Sequence, residues 1–125
     1  MIPFALIKPQ VHWRSDGKGG FIGSGPGADG QVWTSNGLGG FIGSGPGLEN
    51  LVWRTDAKSG YIGSGPGLWG LFWRSDGDGG YRGAGGKIQG IHWRSDNKGG
   101  FNVLFGPSLN EPHIVPDGAG GYRVS

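Results

Sequence analysis

The feature that most limits what this chain can become is a period. The stretch "WRSDGKGGF" beginning at Trp13 returns as "WTSNGLGGF" at Trp33, "WRTDAKSGY" at Trp53, "WRSDGDGGY" at Trp73 and "WRSDNKGGF" at Trp93. Each tryptophan stands 20 residues from the next, with no insertion or deletion between copies. Self-similarity at such a period belongs to chains that stack or close many copies of one small supersecondary unit.

The unit reads as a β-hairpin. Mostly apolar residues precede the tryptophan, and Arg, Ser or Thr, and Asp or Asn follow it. A glycine-rich turn comes next, then Phe or Tyr eight positions after the tryptophan and usually Ile at nine. β-branched and aromatic residues on both sides of an Asp-Gly turn are a strong hairpin signal. The pattern places the first strand near residues 10–16 and the second near 20–24. Along the first strand Val11, Trp13 and Ser15 share one face, while His12, Arg14 and Asp16 share the other. The tryptophan face is the more apolar. The side taken by Phe21 depends on whether the turn holds an odd or an even number of residues, and the sequence leaves that open.

Between hairpins lies "GSGPG", identical at 23–27, 43–47 and 63–67. Its proline fixes φ and its glycines reach conformations closed to other residues, so it reads as a connector that aims each hairpin at the next. A weakened sixth hairpin follows in "HIVPDGAGGYRV", with Ile114 at the tryptophan position and the spacing longer by one. The expected organisation is a single domain over 1–125: an N-terminal cap at 1–10, five hairpin repeats at 11–105, and a degenerate C-terminal hairpin cap at 106–125. One hairpin is too small to be stable alone. Six can close, propagate as an open solenoid, or intertwine between chains. Closure removes exposed strand edges. The fold class expected is therefore all-β, a closed or near-closed pseudo-symmetric barrel, prism or propeller-like ring. Near-identity of the hairpins argues against a trefoil, whose hairpins alternate between two roles.

Composition narrows the function. Glycine supplies 31 of the 125 residues, against a usual share of roughly 7%. At fixed offsets from aromatics, these glycines read as turn and close-approach positions rather than as disorder. The 11 Lys and Arg nearly balance 9 Asp and Glu, and the signs alternate within each repeat, which does not suit a duplex-DNA binder. With no cysteine there is no disulfide framework and no thiolate metal site. The opening MIPFALIKPQ lacks a basic start and a long apolar run, so it reads as neither signal peptide nor membrane span. A soluble chain is expected, with no membrane insertion, and its compartment is unknown.

The candidate ligand-binding residues are the repeated ones: Trp13, Arg14 and Asp16; Trp33 and Asn36; Trp53, Arg54 and Asp56; Trp73, Arg74 and Asp76; Trp93, Arg94 and Asp96. Two readings stand for the tryptophans. They fill identical packing slots, or they offer indole plates on which a sugar's C–H face stacks. Two readings also stand for the triplet after them: a surface ion pair with a turn-forming Asp, or a set of donors and acceptors for hydroxyl groups. Arg is preferred to Lys where a fork of donors meets fixed acceptors, and these can belong to a ligand or to a neighbouring repeat. His12, His92 and His113 lack ligand spacing, so no metal is expected. "GSGPG" lacks the Lys-Ser/Thr of a phosphate loop, and no cofactor is expected. No catalytic set can be assigned, and a symmetric array suits repeated binding better than catalysis.

The tryptophan, glycine turn and second aromatic at plus eight resemble the choline- and glucan-binding hairpin repeats of bacterial surface proteins. Those carry adjacent aromatics at the second site, where this chain has Phe or Tyr followed by Ile. "SDGKGGF" is also similar to the Asp-box hairpin of sugar-processing propellers, with Ser and Asp adjacent here rather than one residue apart. More broadly, the plan resembles small multivalent lectins. The resemblance implies a non-enzymatic, multivalent carbohydrate-binding protein whose partners are glycans or cell-surface carbohydrate, with homo-oligomerisation compatible with it. A structural fibre or spike subunit with hairpins pairing between chains is the alternative, and single-stranded nucleic-acid binding a lesser one. On the ligand reading, the repeat at Trp33 makes the weakest site, because Thr34 and Asn36 replace Arg and Asp.

Overall fold

The computed structural model describes residues 10–105 and 113–124. The chain forms six hairpins: β1 (His12–Ser15) with β2 (Phe21–Ser24), β3 (Val32–Ser35) with β4 (Phe41–Ser44), and β5 (Val52–Thr55) with β6 (Tyr61–Ser64). These are followed by β7 (Phe72–Ser75) with β8 (Tyr81–Ala84), β9 (Ile91–Ser95) with β10 (Phe101–Phe105), and β11 (His113–Pro116) with β12 (Tyr122–Val124). One 3-10 turn at Gly86–Ile88 interrupts the all-β plan. Each strand pairs antiparallel with its sequence neighbours, and β12 returns to β1 through His12↔Arg123 and Trp13↔Tyr122. The result is a closed twelve-stranded barrel of consecutive hairpins.

The turn decides the face of the second aromatic. Ser15 pairs with Phe21 and Trp13 with Gly23, so the turn 16–20 holds an odd number of residues and returns Phe21 to the tryptophan side. Phe21 also stands opposite Trp33 of the following hairpin. Two layers therefore fill the barrel. Trp13, Trp33, Trp53, Trp73, Trp93 and Ile114 form one, each 0–3% exposed. Phe21, Phe41, Tyr61, Tyr81, Phe101 and Tyr122 form the other, a closed ring of aromatics whose neighbouring centroids lie 5.8–6.5 Å apart. Such contacts add about 0.5–1.5 kcal/mol each beyond burial. Each of them joins two different hairpins, so the unit of stability is the ring.

Glycine at the position opposite Trp13, Trp33, Trp53 and Trp73 makes room for the indole, while Trp93 stands opposite Val103. A Cβ on Gly23 would come within 2.8 Å of Trp13 Cζ3 and 2.7 Å of the Ala28 carbonyl oxygen. That carbonyl belongs to the connector, which turns twice: the Ala28 N–H donates to Gly25 O at 3.0 Å and the Gln31 N–H to Ala28 O at 3.1 Å. Ala28 is buried, and Leu48, Leu68 and Ile88 pack against the core from the equivalent place. The connector is thus also part of the packing.

The sixth hairpin differs from expectation. Residues 113–124 form a full stave of the wall, with Ile114 buried at 0% in the tryptophan layer. They are not a cap over an end, because β11 pairs with β10 and β12 with β1. The N-terminal cap expected at 1–10 and the stretch 106–112 lie outside the described residues, apart from Gln10.

Candidate functional site

Trp13, Trp33, Trp53, Trp73 and Trp93 are core, at most 3% exposed. Register puts them inside the wall, with glycine opposite the first four indoles and Val103 opposite Trp93, so the stacking-platform reading of these five side chains is corrected. The other strand face points outward, and there Arg14, Arg54, Arg74 and Arg94 are exposed.

The Asp or Asn three positions after each tryptophan builds the turn. In the third hairpin Asp56 Oδ1 accepts the backbone N–H of Lys58 at 2.7 Å and of Gly60 at 2.8 Å. Asp16, Asp76, Asp96 and Asp117 repeat this arrangement. Asn36 does the same with its amide oxygen, at 2.7 Å to Leu38 and 3.0 Å to Gly40. One oxygen suffices for the turn, which is why the charge is dispensable at position 36.

The second carboxylate oxygen distinguishes the hairpins. His92 Nε2 lies 2.8 Å from Asp76 Oδ2, His113 Nε2 2.9 Å from Asp96 Oδ2, and His12 Nε2 2.7 Å from Asp117 Oδ2. Each histidine belongs to the hairpin after the aspartate's own, the last pair closing the ring. For Asp96 and Asp117 the histidine bond, followed by the two backbone bonds, holds the carboxyl at about 2. At Asp76 burial pushes upward, but the His92 and backbone bonds outweigh it and leave the carboxyl at about 2. For Asp56, Oδ2 has no hydrogen-bond partner among the described residues.

These contacts place the grooves between hairpins, and this changes which repeated residues belong together. The groove between the third and fourth hairpins, about 490 Å³, is lined by Asp56, Lys58, Ile62, Phe72, Arg74 and Ser75. A smaller one of about 250 Å³ lies between the sixth and first, lined by Asp117, Ala119, Arg123, His12, Arg14 and Ser15. The two sets occupy the same six positions of the repeat. Asp56 therefore shares a groove with Arg74, 18 residues on, and not with Arg54 of its own triplet. By the same register Thr34 falls beside Asp16, and Asn36 beside Arg54. The two substitutions of the second repeat are divided between two grooves, which replaces the expectation of one doubly weakened site.

The groove beside Asp56 has further properties. Arg74 Cζ stands 5.7 Å from the Phe72 ring centroid, a cation–π contact that holds the guanidinium over an apolar floor made by Phe72 and Ile62. Its turn is strained. Ala57 and Ser59 take φ values of 65° and 70°, where the first and second hairpins have glycine. A non-glycine residue in this region costs about 1–3 kcal/mol, and such strain concentrates at functional sites. Among the described residues no group of three His, Cys, Asp or Glu can hold a metal ion.

The signal for the histidine pairs was present in the sequence. All three histidines directly precede the tryptophan position, counting Ile114 as its equivalent, but pairing His92 and His113 with an aspartate 16 or 17 residues back, and His12 with Asp117 at 105 residues' separation, needs the register between hairpins. Comparison with protein-family models, with curated proteins and with solved structures finds no match to the chain, so its function is argued from these grooves.

Proposed function

We propose that the protein is a non-enzymatic, multivalent carbohydrate-binding protein, lectin-like in plan, whose sites are the grooves between successive hairpins. The observation that carries this reading is the groove at Asp56. It combines an unengaged carboxylate oxygen, a guanidinium held by cation–π contact, and the apolar patch of Phe72 and Ile62. Sugars need that mixture, since hydroxyls require paired acceptors and donors while the C–H face of the ring seeks apolar surface. The stacking role expected of the tryptophans passes to Phe72. Equivalent positions recur around the barrel, so weak single sites gain avidity on a surface that repeats its glycan. The fibre reading has less support, because each strand of the described barrel already has two partners.

A glycan array probed with the parent protein and with Arg74→Thr tests the proposal. Thr is the residue at the equivalent place in the second hairpin, so the fold should persist. Losing a charge-assisted hydrogen bond should weaken binding at this groove by about ten-fold or more. Unchanged glycan binding in the folded variant, or no glycan bound by the parent, would overturn the proposal.

A further inference from the structure

The outer wall is not uniform around the ring. At the first three junctions the directly paired outward residues are Ile22↔Val32, Ile42↔Val52 and Ile62↔Phe72. At the other three they are Arg82↔His92, Asn102↔His113 and Arg123↔His12. One half of the wall is apolar at this level; the other carries hydrogen-bonding side chains, mostly donors.

We infer that the second half takes the acidic substituent of a glycan, a carboxylate or a sulfate, with its best-formed site in the closing groove between Arg123 and Arg14. This rests on the carbohydrate-binding reading above and names the class of sugar for these grooves. The closing groove contains two exposed guanidinium groups and one carboxylate, Asp117. That carboxylate is already engaged: Oδ1 accepts the N–H groups of Ala119 at 2.7 Å and Gly121 at 2.9 Å, and Oδ2 meets His12 at 2.7 Å. Its side chain is only 5% exposed. The ion pairs among the described residues are the three His–Asp contacts, so neither guanidinium has a carboxylate within 4.0 Å there.

A second observation points the same way. Arg74 and Arg82 stand directly opposite each other on β7 and β8. Like charges in that relation are destabilising, and Arg82 occupies the place that Ile22, Ile42 and Ile62 fill in the first three hairpins. An anion bridging planar donors relieves this repulsion, and guanidinium groups bind carboxylate and sulfate oxygens through parallel hydrogen bonds. A nucleic acid would need stacking platforms beside the phosphate contacts. Tyr81, Phe101 and Tyr122 of this half are turned into the barrel, in the closed aromatic ring.

The test is an array holding each neutral glycan beside its sulfated and uronate-bearing counterparts, with a fifteen-nucleotide oligo-dT as a control polyanion. The parent should prefer the acidic members, and that preference should fall steeply as sodium chloride rises while neutral binding changes little. Arg123→Ile together with Arg82→Ile restores the residue of the first three hairpins, so the barrel should fold. These changes should reduce acidic binding by about ten-fold or more. Arg123→Ile alone, remote from the Asp56 groove, should leave neutral binding unchanged. Neutral binding without acidic preference, or a preference that survives both substitutions, overturns this inference alone. Tighter binding of oligo-dT than of any acidic glycan overturns it too. If the parent binds no glycan, the broader reading fails and this one with it. The salt series on the parent decides the matter even where a variant does not fold.

Discussion

Asp56 is expected to carry two separable tasks, and two substitutions part them. Asp56→Ala removes the acceptor for both turn N–H groups. Lys58 is exposed, so its N–H turns to water at little cost. Gly60 is buried, and its N–H, now 2.8 Å from Oδ1, is left without that acceptor. An orphaned buried donor costs about 1–3 kcal/mol. The turn keeps two other hydrogen bonds, from the Ala57 N–H to Thr55 Oγ1 at 3.0 Å and from the Asp56 N–H to the Gly60 carbonyl at 3.1 Å, but Ala57 and Ser59 are already in a strained conformation. Asp56→Asn keeps the accepting oxygen, as Asn36 does, and should cost less than about 0.5 kcal/mol. For glycan binding the order changes, because the amide places a donor where Oδ2 accepted, so Asn should weaken binding at this groove by about ten-fold. Urea denaturation should show a lower midpoint with an unchanged slope for Ala, and a midpoint near the parent's for Asn. If Asn destabilises as much as Ala, the one-oxygen account of the turn is wrong.

Two further outcomes follow from the buried indoles and the histidine pairs. Of six tryptophans only Trp69 is exposed, at 71%, so iodide should quench roughly one sixth of the emission, and a saturating glycan should leave the protected fraction unchanged; quenching spread over all six would contradict a closed core. Asp76, Asp96 and Asp117 are held at about 2, below the ordinary 3.8, so the stability they confer is complete above about pH 4 and is lost as pH falls towards 2. Replacing His12, His92 and His113 with Val, the residue at positions 32 and 52, should move acid unfolding to higher pH. Stability curves that stay parallel between pH 2 and 4 would refute the linkage.

The sequence makes the hairpin legible because its signals are local. Alternation around Trp13, the Asp-Gly turn and the glycine opposite the indole all lie within one repeat. Closure follows only from the general ground that it removes edges, because the stave that completes it is disguised. Ile114 replaces tryptophan and follows Trp93 by 21 residues rather than 20, so from sequence alone the sixth copy reads as a cap. The grooves were hidden for another reason. The triplet of Arg54, Thr55 and Asp56 suggests one site because its members are adjacent in the chain. A strand sends neighbours to opposite faces, however, and the aspartate begins the turn. Its partner across the junction is Arg74, and that adjacency exists only once hairpins pair.

The same geometry explains where the repeats are alike and where they differ. Each inward Phe or Tyr of the aromatic ring touches the hairpins on both sides, so a change at Tyr61 is felt beyond its own hairpin. This aromatic holds in all six copies, the tryptophan in the first five and the glycine opposite it in the first four. An outward residue meets its partner across a single junction, and the outward pairs have diverged together. Histidine appears before the tryptophan position only where the preceding hairpin has Arg or Asn in place of Ile. In those grooves the histidine engages the second carboxylate oxygen, so the acceptor is withdrawn. Guanidinium donors remain between the fourth and fifth hairpins (Arg82, Arg94) and in the closing groove (Arg123, Arg14), while the junction of the fifth and sixth has Asn102 and Val115 at those positions. In the Asp56 groove the acceptor stays open beside Phe72 and Ile62. On the proposed reading, one substitution pattern at the outer wall would convert a site suited to hydroxyls into one suited to anions without disturbing the core. On that reading, a ring divided in this way should engage a uniformly neutral surface with only part of its circumference. Its full valency should then be reached only on a surface that presents neutral and acidic sugars together.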